Sequence, residues 1–500
     1  LDPLIDIIRR TPDILATTFI LVVGLAALVI VALFVIDLSQ TTNAVRHNFP
    51  VLGRFRTIFT KLGEFFRQYF FALDREELPF NRTEREWVYR SAQGGNNTVA
   101  FGSTQPLLQN GTLLFVNAPF PVQEHDAHPA PPRVIGPNCP QPYTAVSLIN
   151  ISGMSYGAIS TPAVRALSRG AALAGCWLNT GEGGLSPYHL EGGCDIVFQI
   201  GTAKYGVREP DGTLNEARLR EVAAHEQVRM IEIKLSQGAK PGKGGILPAA
   251  KVTEEIARIR GISPDTDSIS PNRHPEVGTT GELLDFIGRV RGITGKPTGV
   301  KCVVGDPAWL NELCIEIRAR GPDAAPDFIT VDGAEGGSGA APLALIDAMG
   351  LPIRLALPAV VDALARHGLR ERVRVIASGK LVTPVEMAWA FCAGADFVVS
   401  ARGFMFALGC IQALRCNRNT CPTGITTHNE RLQRGLNPRE KAVRVANYVA
   451  EMRHGLEMIA HSCGVAHPLA LERRHCLLVG GALMPVSLAE RHPPPQQNQA

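Results

Sequence analysis

Cys410, Cys416 and Cys421 lie in the run from Leu408 to Gly424, spaced C-x5-C-x4-C and followed at once by Pro422. Three thiolates can close on one small inorganic core only if they stand within a few ångströms of one another, and a short loop rich in Gly, Pro and Asn lets them do so. The spacing reads as an iron–sulfur ligand set, and three ligands suit a three-iron cluster better than a four-iron one. A chain that holds such a cluster moves electrons. Two other readings use the same residues: a zinc site completed by His428, and three unrelated thiols in a chain with 11 Cys. Disulfides fit less well, because Cys176, Cys302 and Cys392 sit alone in apolar runs typical of a reduced interior.

Lysines supply a second set of chemistry. Lys301 falls inside an apolar run, where burying a cation is costly without a task. A cation there could face the N1–C2=O edge of a flavin, where negative charge develops on reduction. The alternative is an interior lysine paired with a carboxylate. Lys234 ends another apolar run, and with Lys240 and Glu182 it makes a set able to hold an anionic acid and manage a proton. Glycine-rich turns can wrap a phosphate with backbone N–H groups, which makes Gly336, Gly337, Ser338 and Gly339, the pair Gly379 and Lys380, and the trio Ala401, Arg402 and Gly403 phosphate candidates. Each alone is also what any tight turn requires. No stretch satisfies G-x-x-x-x-G-K-[ST] or G-x-G-x-x-G. Reducing equivalents are therefore expected from a partner, not from a nicotinamide domain here.

These residues need a frame. From about Pro140 to His428, short apolar runs alternate with helical segments, the pattern of repeated βα units around a parallel sheet. Eight runs qualify: 145–151, 176–179, 195–200, 230–234, 298–303, 327–331, 373–377 and 396–400. Eight units over this length predict a (β/α)8 barrel, whose site is built from the loops at the strands' C-terminal ends. Those loops carry nearly all the residues named above. The size of the chain, 500 residues with 45% hydrophobic and 19% charged, allows a large core, and 49 Gly suit a loop-rich α/β enzyme. A net charge of +4 gives no case for nucleic acid as a partner.

Ahead of the barrel, Ile14 to Ile36 runs for 23 residues without a charge. That length crosses a hydrocarbon core of about 30 Å as a helix. It exceeds a signal-peptide core and lacks the polar face of a buried helix, so residues 1–37 are expected to anchor the chain in a bilayer through 14–36. Arg46, Arg54, Arg56 and Lys61 after the span slightly outnumber Arg9 and Arg10 before it, which favours a single-pass protein of the inner (cytoplasmic) membrane with its catalytic body in the cytoplasm. Residues 38–139 are expected as a juxtamembrane extension. Its alternation of aromatic and basic residues between Phe55 and Phe71 fits either an interfacial helix or a helix packed on the main domain. A helical extension over 431–490 and a disordered Pro/Gln-rich tail over 491–500 complete the expected layout.

The motifs Gly153 to Ser160, Asn179 to Gly184 and Ile233 to Gly242, followed by Cys410, Cys416, Cys421 and Pro422, together resemble the synthase domain of glutamate synthase. The likeness covers about residues 140–430. It implies an FMN-binding barrel with a [3Fe–4S] cluster, in which reduced flavin delivers a hydride to the imine of 2-oxoglutarate and ammonia. Carried over position by position, Cys410, Cys416 and Cys421 would be the cluster ligands. Met154, Ser155, Gln199, Lys301, Gly337, Ser338, Gly379 and Gly403 would line the FMN. Glu182, Lys234 and Lys240 would meet the substrate, with Lys204, Gln237 and His274 around it. Lys240 would be a proton donor and Glu182 a participant in loss of water or ammonia. At position 204, where many members have Arg, the charge survives but a planar bidentate contact does not.

The resemblance includes neither the glutaminase domain nor the C-terminal β-helix of the full-length enzyme, so this chain is not expected to hydrolyse glutamine. An N-terminal span, then the run His47 to Arg54, then the barrel is similar to stand-alone, membrane-anchored members of the FMN-binding glutamate synthase-like family. Their electrons would come from a ferredoxin or an NAD(P)H-dependent reductase. A primary amine in place of ammonia would give an N-alkylglutamate synthase. A rival reading is a membrane-tethered flavin and iron–sulfur relay without amination, against which the presence of Glu182, Lys234 and Lys240 argues. An inactive scaffold fits least, given the intact cysteine run.

Overall fold

The computed structural model describes residues 2–481, 484–493 and 495, with backbone alone along 2–10. Of the tail expected to be disordered, residues 494 and 496–500 lie outside the described residues. The chain divides into two units, 1–83 and 84–500.

The first unit is helical. Helix α1 (Asp2–Ser39) contains the uncharged run, and within its stretch Thr11–Ser39 an 18-residue apolar window has a mean hydropathy of 3.3 and no buried residue. By length and composition it is long and apolar enough to cross a membrane. A short helix, Ala44–Asn48, leads to α2 (Leu52–Phe66), which a π-helical turn, Arg67–Phe71, extends.

The second unit holds a closed eight-stranded parallel barrel. Its strands are β1 (Ile149–Ile151), β2 (Leu178–Asn179), β3 (Ile196–Ile200), β4 (Val228–Lys234), β5 (Thr298–Cys302), β6 (Phe328–Asp332), β7 (Arg374–Ser378) and β8 (Phe397–Ser400). Each pairs with the next in sequence, and β8 closes on β1 through Val399 opposite Asn150. Every one of the eight expected runs overlaps one of these strands, with β4 starting two residues before its run and β6 and β7 each ending one residue after theirs. Barrel strands are covered by helices outside and side chains inside, so they read as continuous apolar runs rather than alternating ones. All five residues of β3 are buried.

The run 145–151 is not one strand. Arg133–Ile135 and Tyr143–Ala145 pair antiparallel, and the chain turns through an exposed Val146 and through Ser147, whose Oγ donates to the Ile149 carbonyl at 2.7 Å, before β1 begins. Ile135, Tyr143 and Ala145 of this hairpin pack with Trp177, Val197, Met230, Phe328, Ile376, Phe397 and Val399, filling the barrel at the strands' N-terminal ends. Fully burying each large apolar side chain contributes about 1.5–3 kcal/mol.

Helix α3 (Thr161–Ala174), which follows β1, packs along the C-terminal helix α4 (Pro438–Ser462). The approach is close at Gly170, where a Cβ would stand 2.5 Å from Val445 Cβ. Gly170→Ala therefore overpacks the seam and is expected to cost about 1–3 kcal/mol in denaturant titration. Leu113–Phe115 pairs antiparallel with Cys476–Val479, joining segments from before and after the barrel.

Candidate active site

The residues named from sequence gather at one mouth of the barrel, on or just past the C-terminal ends of the strands. Lys234 is the last residue of β4, with Lys301 on β5 beside it in register. Glu182 follows β2 by three residues, and its Oε1 stands 3.1 Å from Lys234 Nζ. Burial pushes the Glu182 carboxyl up, but the charges of Lys234 and Lys240 outweigh it and hold the group below the usual carboxylate range. Lys240 is buried, and burial first, then the like charge of Lys234, lowers its ammonium to about 8. The trio thus joins a carboxylate that stays ionised to an ammonium that gives up its proton near neutral pH.

Two glycines leave room for Glu182 and fix its place. A Cβ on Gly245 would lie 2.3 Å from Glu182 Oε1, and one on Gly201 would lie 2.6 Å from its Cβ. Displacing this carboxylate by even an ångström costs on the order of 10²-fold in rate. Gly245→Ala is expected to show that loss in kcat while keeping its far-ultraviolet circular dichroism.

Around the trio, Lys234 Nζ also donates to Gln237 Oε1, while Gln237 Nε2 donates to the Gly337 carbonyl at 3.1 Å. His274 Nε2 meets the Lys234 carbonyl at 3.0 Å. A carbonyl only accepts, so Nε2 carries the proton and Nδ1 is left as an acceptor, buried with no hydrogen-bond partner among the described residues. His274 therefore positions the Lys234 backbone. Lys204 is buried and pairs with Glu276 Oε2 at 2.9 Å, which neutralises its charge locally.

Beneath the mouth lies a polar layer. Glu232 is buried and accepts from Asn179 Nδ2 at 2.8 Å, Gln199 Nε2 at 2.6 Å and Thr330 Oγ1 at 2.6 Å. Lys301 has the carboxylate partner that the alternative reading expected: Asp332 Oδ2, at 3.5 Å. Asp332 also accepts from the Gly238 N–H at 2.9 Å and Ser378 Oγ at 2.7 Å. Burial would lower the Lys301 ammonium, but Asp332 and Glu232 raise it overall, so it stays charged. Its other contact, Ser152 Oγ, is also 3.5 Å away. Three N–H donors with two long contacts leave capacity for an acceptor placed above them.

The glycine loops converge beside Lys301. A Cβ on Gly238 would fall 2.5 Å from Gly336 Cα, so these backbones touch. Gly337 and Gly339 are exposed, Ser338 between them is half-buried, and nothing would meet a Cβ on Gly339. Arg402 donates through Nη2 to the Glu335 carbonyl at 2.6 Å. Gly379 and Lys380 both take positive φ, 128° and 54°. Met154 and Ser155 lie against Gly181, where a Cβ would be 2.5 Å from Ser155 N. Gly403 has a structural reason of its own, since a Cβ there would be 2.3 Å from Tyr448 Oη on α4.

The cysteine loop holds three non-glycine residues at positive φ, Gln412 (56°), Leu414 (53°) and Asn419 (56°). Each costs about 1–2 kcal/mol, so the loop's course is over-determined by its surroundings. The Gln412 N–H points at Cys410 Sγ at 3.5 Å, and Thr423 Oγ1 is 3.3 Å from Cys421 Sγ. Burial pushes the Cys410 thiol up to about 12 and raises Cys416. Burial would raise Cys421 too, but hydrogen bonds from Thr423 and Thr426 bring it below the ordinary thiol value. Buried Lys251, lowered to about 8 by burial, donates to the Ala158 and Cys416 carbonyls at 2.6 and 3.2 Å. His428, which the zinc reading needs, instead meets the Gly157 carbonyl at 2.8 Å. Among the described residues no three His, Cys, Asp or Glu side chains close on a single metal ion. Cluster ligands bind different irons, so they need not converge in that way.

Sequence reasoning missed Glu232, Asp332 and Lys251 as site groups. Glu232 was visible by the argument applied to Lys301, because a charge inside an apolar strand is costly. A cavity of about 670 Å³ lies beside Thr279, Trp309, Glu312 and Glu316, and no candidate residue lines it.

His189 and His274 are each 1% exposed, and burial holds both at about 4. The unfolded chain takes up protons as pH falls through about 6.5, the folded chain only near 4. Stability is thus lost as pH falls across that window, by about 3 kcal/mol per histidine. Urea unfolding at pH 7 and at pH 4.5 measures the loss, and His189→Gln is expected to shrink it.

Residues 124–466 match the family described as the conserved region in glutamate synthase. The chain is 40% identical over 496 residues to the glutamate synthase large subunit-like protein YerD of Bacillus subtilis (strain 168), covering 91% of this chain and 94% of that one. It is 35% identical over 319 residues to the archaeal glutamate synthase (NADPH) of Methanocaldococcus jannaschii, covering 63% of this chain and 59% of that one. A glutamate synthase large subunit-like protein of Rhizobium meliloti (strain 1021) is 31% identical over 342 residues, covering 65% of this chain and 73% of that one. With its barrel spanned by the matching region and a relative alike along nearly its whole length, the chain belongs to the glutamate synthase conserved-region family.

Proposed function

We propose that the barrel is an FMN- and [3Fe–4S]-dependent oxidoreductase that converts 2-oxoglutarate and ammonia, or a small amine, to glutamate or an N-substituted glutamate. The observation that carries this reading is the trio of Glu182, Lys234 and Lys240 at the barrel mouth beside Lys301. A pure electron relay has no need of such a carboxylate-binding, proton-managing set.

FMN fits the residues present: Lys301 has donor capacity left, and the exposed Gly337 and Gly339 offer N–H groups without side chains to a phosphate, beside Gly379, Lys380 and Arg402. When bound it supplies the hydride. The cluster also fits, on hydrogen bonds to Cys410 and Cys421 and a buried cation, Lys251, beside Cys416. Its chemistry would be one-electron transfer from a separate donor, a ferredoxin or an NAD(P)H-dependent reductase.

The chain's own residues do the rest. Lys234 and Lys240 attract the substrate carboxylate. The amine adds to the C2 carbonyl; as water leaves, Lys240 Nζ gives a proton to the departing hydroxyl and Glu182 takes one from the nitrogen. The imine stays polarised beside the lysines, Glu182 returns its proton to the nitrogen as C2 is reduced, and Lys301 holds charge next to the flavin edge. The unit 1–83 supports a bilayer anchor through 14–36, with the catalytic unit proposed on the cytoplasmic side.

The test is product formation by the full-length protein supplied with a chemically reduced low-potential donor, 2-oxoglutarate and either ammonium or methylamine. Glutamate from ammonium supports the leading reading. N-methylglutamate formed in preference moves the assignment to the alkylamine. Neither product, with electrons passing freely to a quinone, overturns amination.

A further inference from the structure

Asp37 is fully buried in a unit whose other described residues are mostly exposed. Its carboxylate accepts from Arg54 Nε at 2.8 Å, Arg54 Nη2 at 2.7 Å and the Val51 N–H at 3.0 Å. Asp37 lies two residues before the end of α1, and Arg54 lies two residues after the start of α2. Between them the chain doubles back: Val51 takes a φ of 67°, and a Cβ on Gly53 would stand 2.8 Å from the Val45 carbonyl oxygen. A bidentate guanidinium–carboxylate pair with a backbone bond ties the start of α2 to the end of α1 as a fixed elbow.

That elbow sets a depth. The uncharged run 14–36 rises ~34 Å as a helix, against a hydrocarbon core of about 30 Å. Asp37 and Arg54 then stand at headgroup level, and α2 starts there. With 15 residues carrying Arg54, Arg56, Lys61 and Glu64, α2 cannot cross back, so it runs along the interface. Its residues are sorted for that course. Leu52, Phe55, Ile58, Phe59, Leu62 and Phe66 recur at helical spacing on one arc, each between 42% and 69% exposed, so the described protein leaves this face uncovered. Arg56 and Arg67 border the arc on one side and Lys61 on the other, and none of the three makes an ion pair among the described residues. Cations flanking an apolar stripe match phosphates above acyl chains, which a protein partner would not require along both borders.

We propose that residues 52–71 form a second membrane element, an interfacial helix that binds anionic phospholipid headgroups and is held in the membrane plane by the Asp37–Arg54 elbow. The inference rests on the reading of 14–36 as a bilayer anchor.

The test uses the full-length protein in vesicles of phosphatidylcholine with or without phosphatidylglycerol, containing lipids brominated either near the headgroup or near the bilayer centre. Phe59→Trp and Leu25→Trp report the two elements, with the emission of the parent's own tryptophans subtracted. The expected result is strong quenching of the Phe59→Trp indole by shallow bromines and of the Leu25→Trp indole by deep ones. Asp37→Asn is expected to weaken the shallow quenching. Arg56→Gln/Lys61→Gln/Arg67→Gln is expected to remove its dependence on phosphatidylglycerol. If the Leu25→Trp probe is quenched at depth while the Phe59→Trp probe escapes both lipids, the interfacial helix is overturned and the anchor stands. If both escape, the anchor falls with it. Shallow quenching indifferent to phosphatidylglycerol and to the triple variant overturns the anionic-headgroup assignment.

Discussion

Lys240→Met is expected to lower kcat by about 10²–10⁴-fold, the usual contribution of a positioned general acid, with FMN content and stability little changed. Burial and the neighbouring charge of Lys234 bring Lys240 to about 8, so near neutral pH it is protonated yet ready to donate. The sign follows directly. A donor must carry its proton, so kcat of the parent enzyme falls as pH rises past about 8, and the residual rate of Lys240→Met lacks that limb. Lys240→Arg keeps the charge but holds its proton too tightly to give it up, and is expected to bind substrate without restoring the rate. A pH profile of kcat for the three proteins separates proton donation from simple attraction of an anion.

The second large effect lies one layer deeper. Lys301→Met leaves the Asp332 carboxylate inside the barrel without the cation that pairs with it. Breaking a buried pair by removing one partner costs about 3–5 kcal/mol, read as a lower denaturant midpoint. The flavin would lose its contact at the same time. Lys301→Met/Asp332→Asn separates the two roles. The double variant is expected to regain part of the stability, because the new amide accepts from the Gly238 N–H through its oxygen and donates to Ser378 Oγ through its nitrogen without a bare charge, yet still to lack flavin absorbance. Recovery of flavin in the double variant would show that Lys301 serves the barrel alone.

The barrel was legible because its strands are buried on both faces. An apolar run such as Ile196–Ile200, bounded by polar turns and repeated eight times, leaves few other folds. The break at Val146 and Ser147 was not, since nothing in a run of apolar and small residues marks where the hairpin stops and the barrel starts. Lys234 and Lys301 could be picked out by the cost of a cation in an apolar strand. Glu232 met the same criterion on the same strand as Lys234 and was passed over, because its three hydrogen-bond donors come from β2, β3 and β6. The pairing of Lys204 with Glu276 was equally hidden, for it depends on a loop returning from far along the chain. Pairing across distant segments is the part of a site that spacing alone does not carry.

One measurement bears most directly on the central claim: an anaerobic single turnover of the purified, fully reduced full-length protein, followed at the oxidised-flavin band and by product analysis. The account predicts that the band returns only when 2-oxoglutarate and ammonium, or a small amine, are both added, with one amino acid formed per flavin reoxidised. If flavin is bound and stays reduced with every such pair, yet reoxidises at once with a quinone, Glu182, Lys234 and Lys240 are not an amination site and the proposed function is wrong.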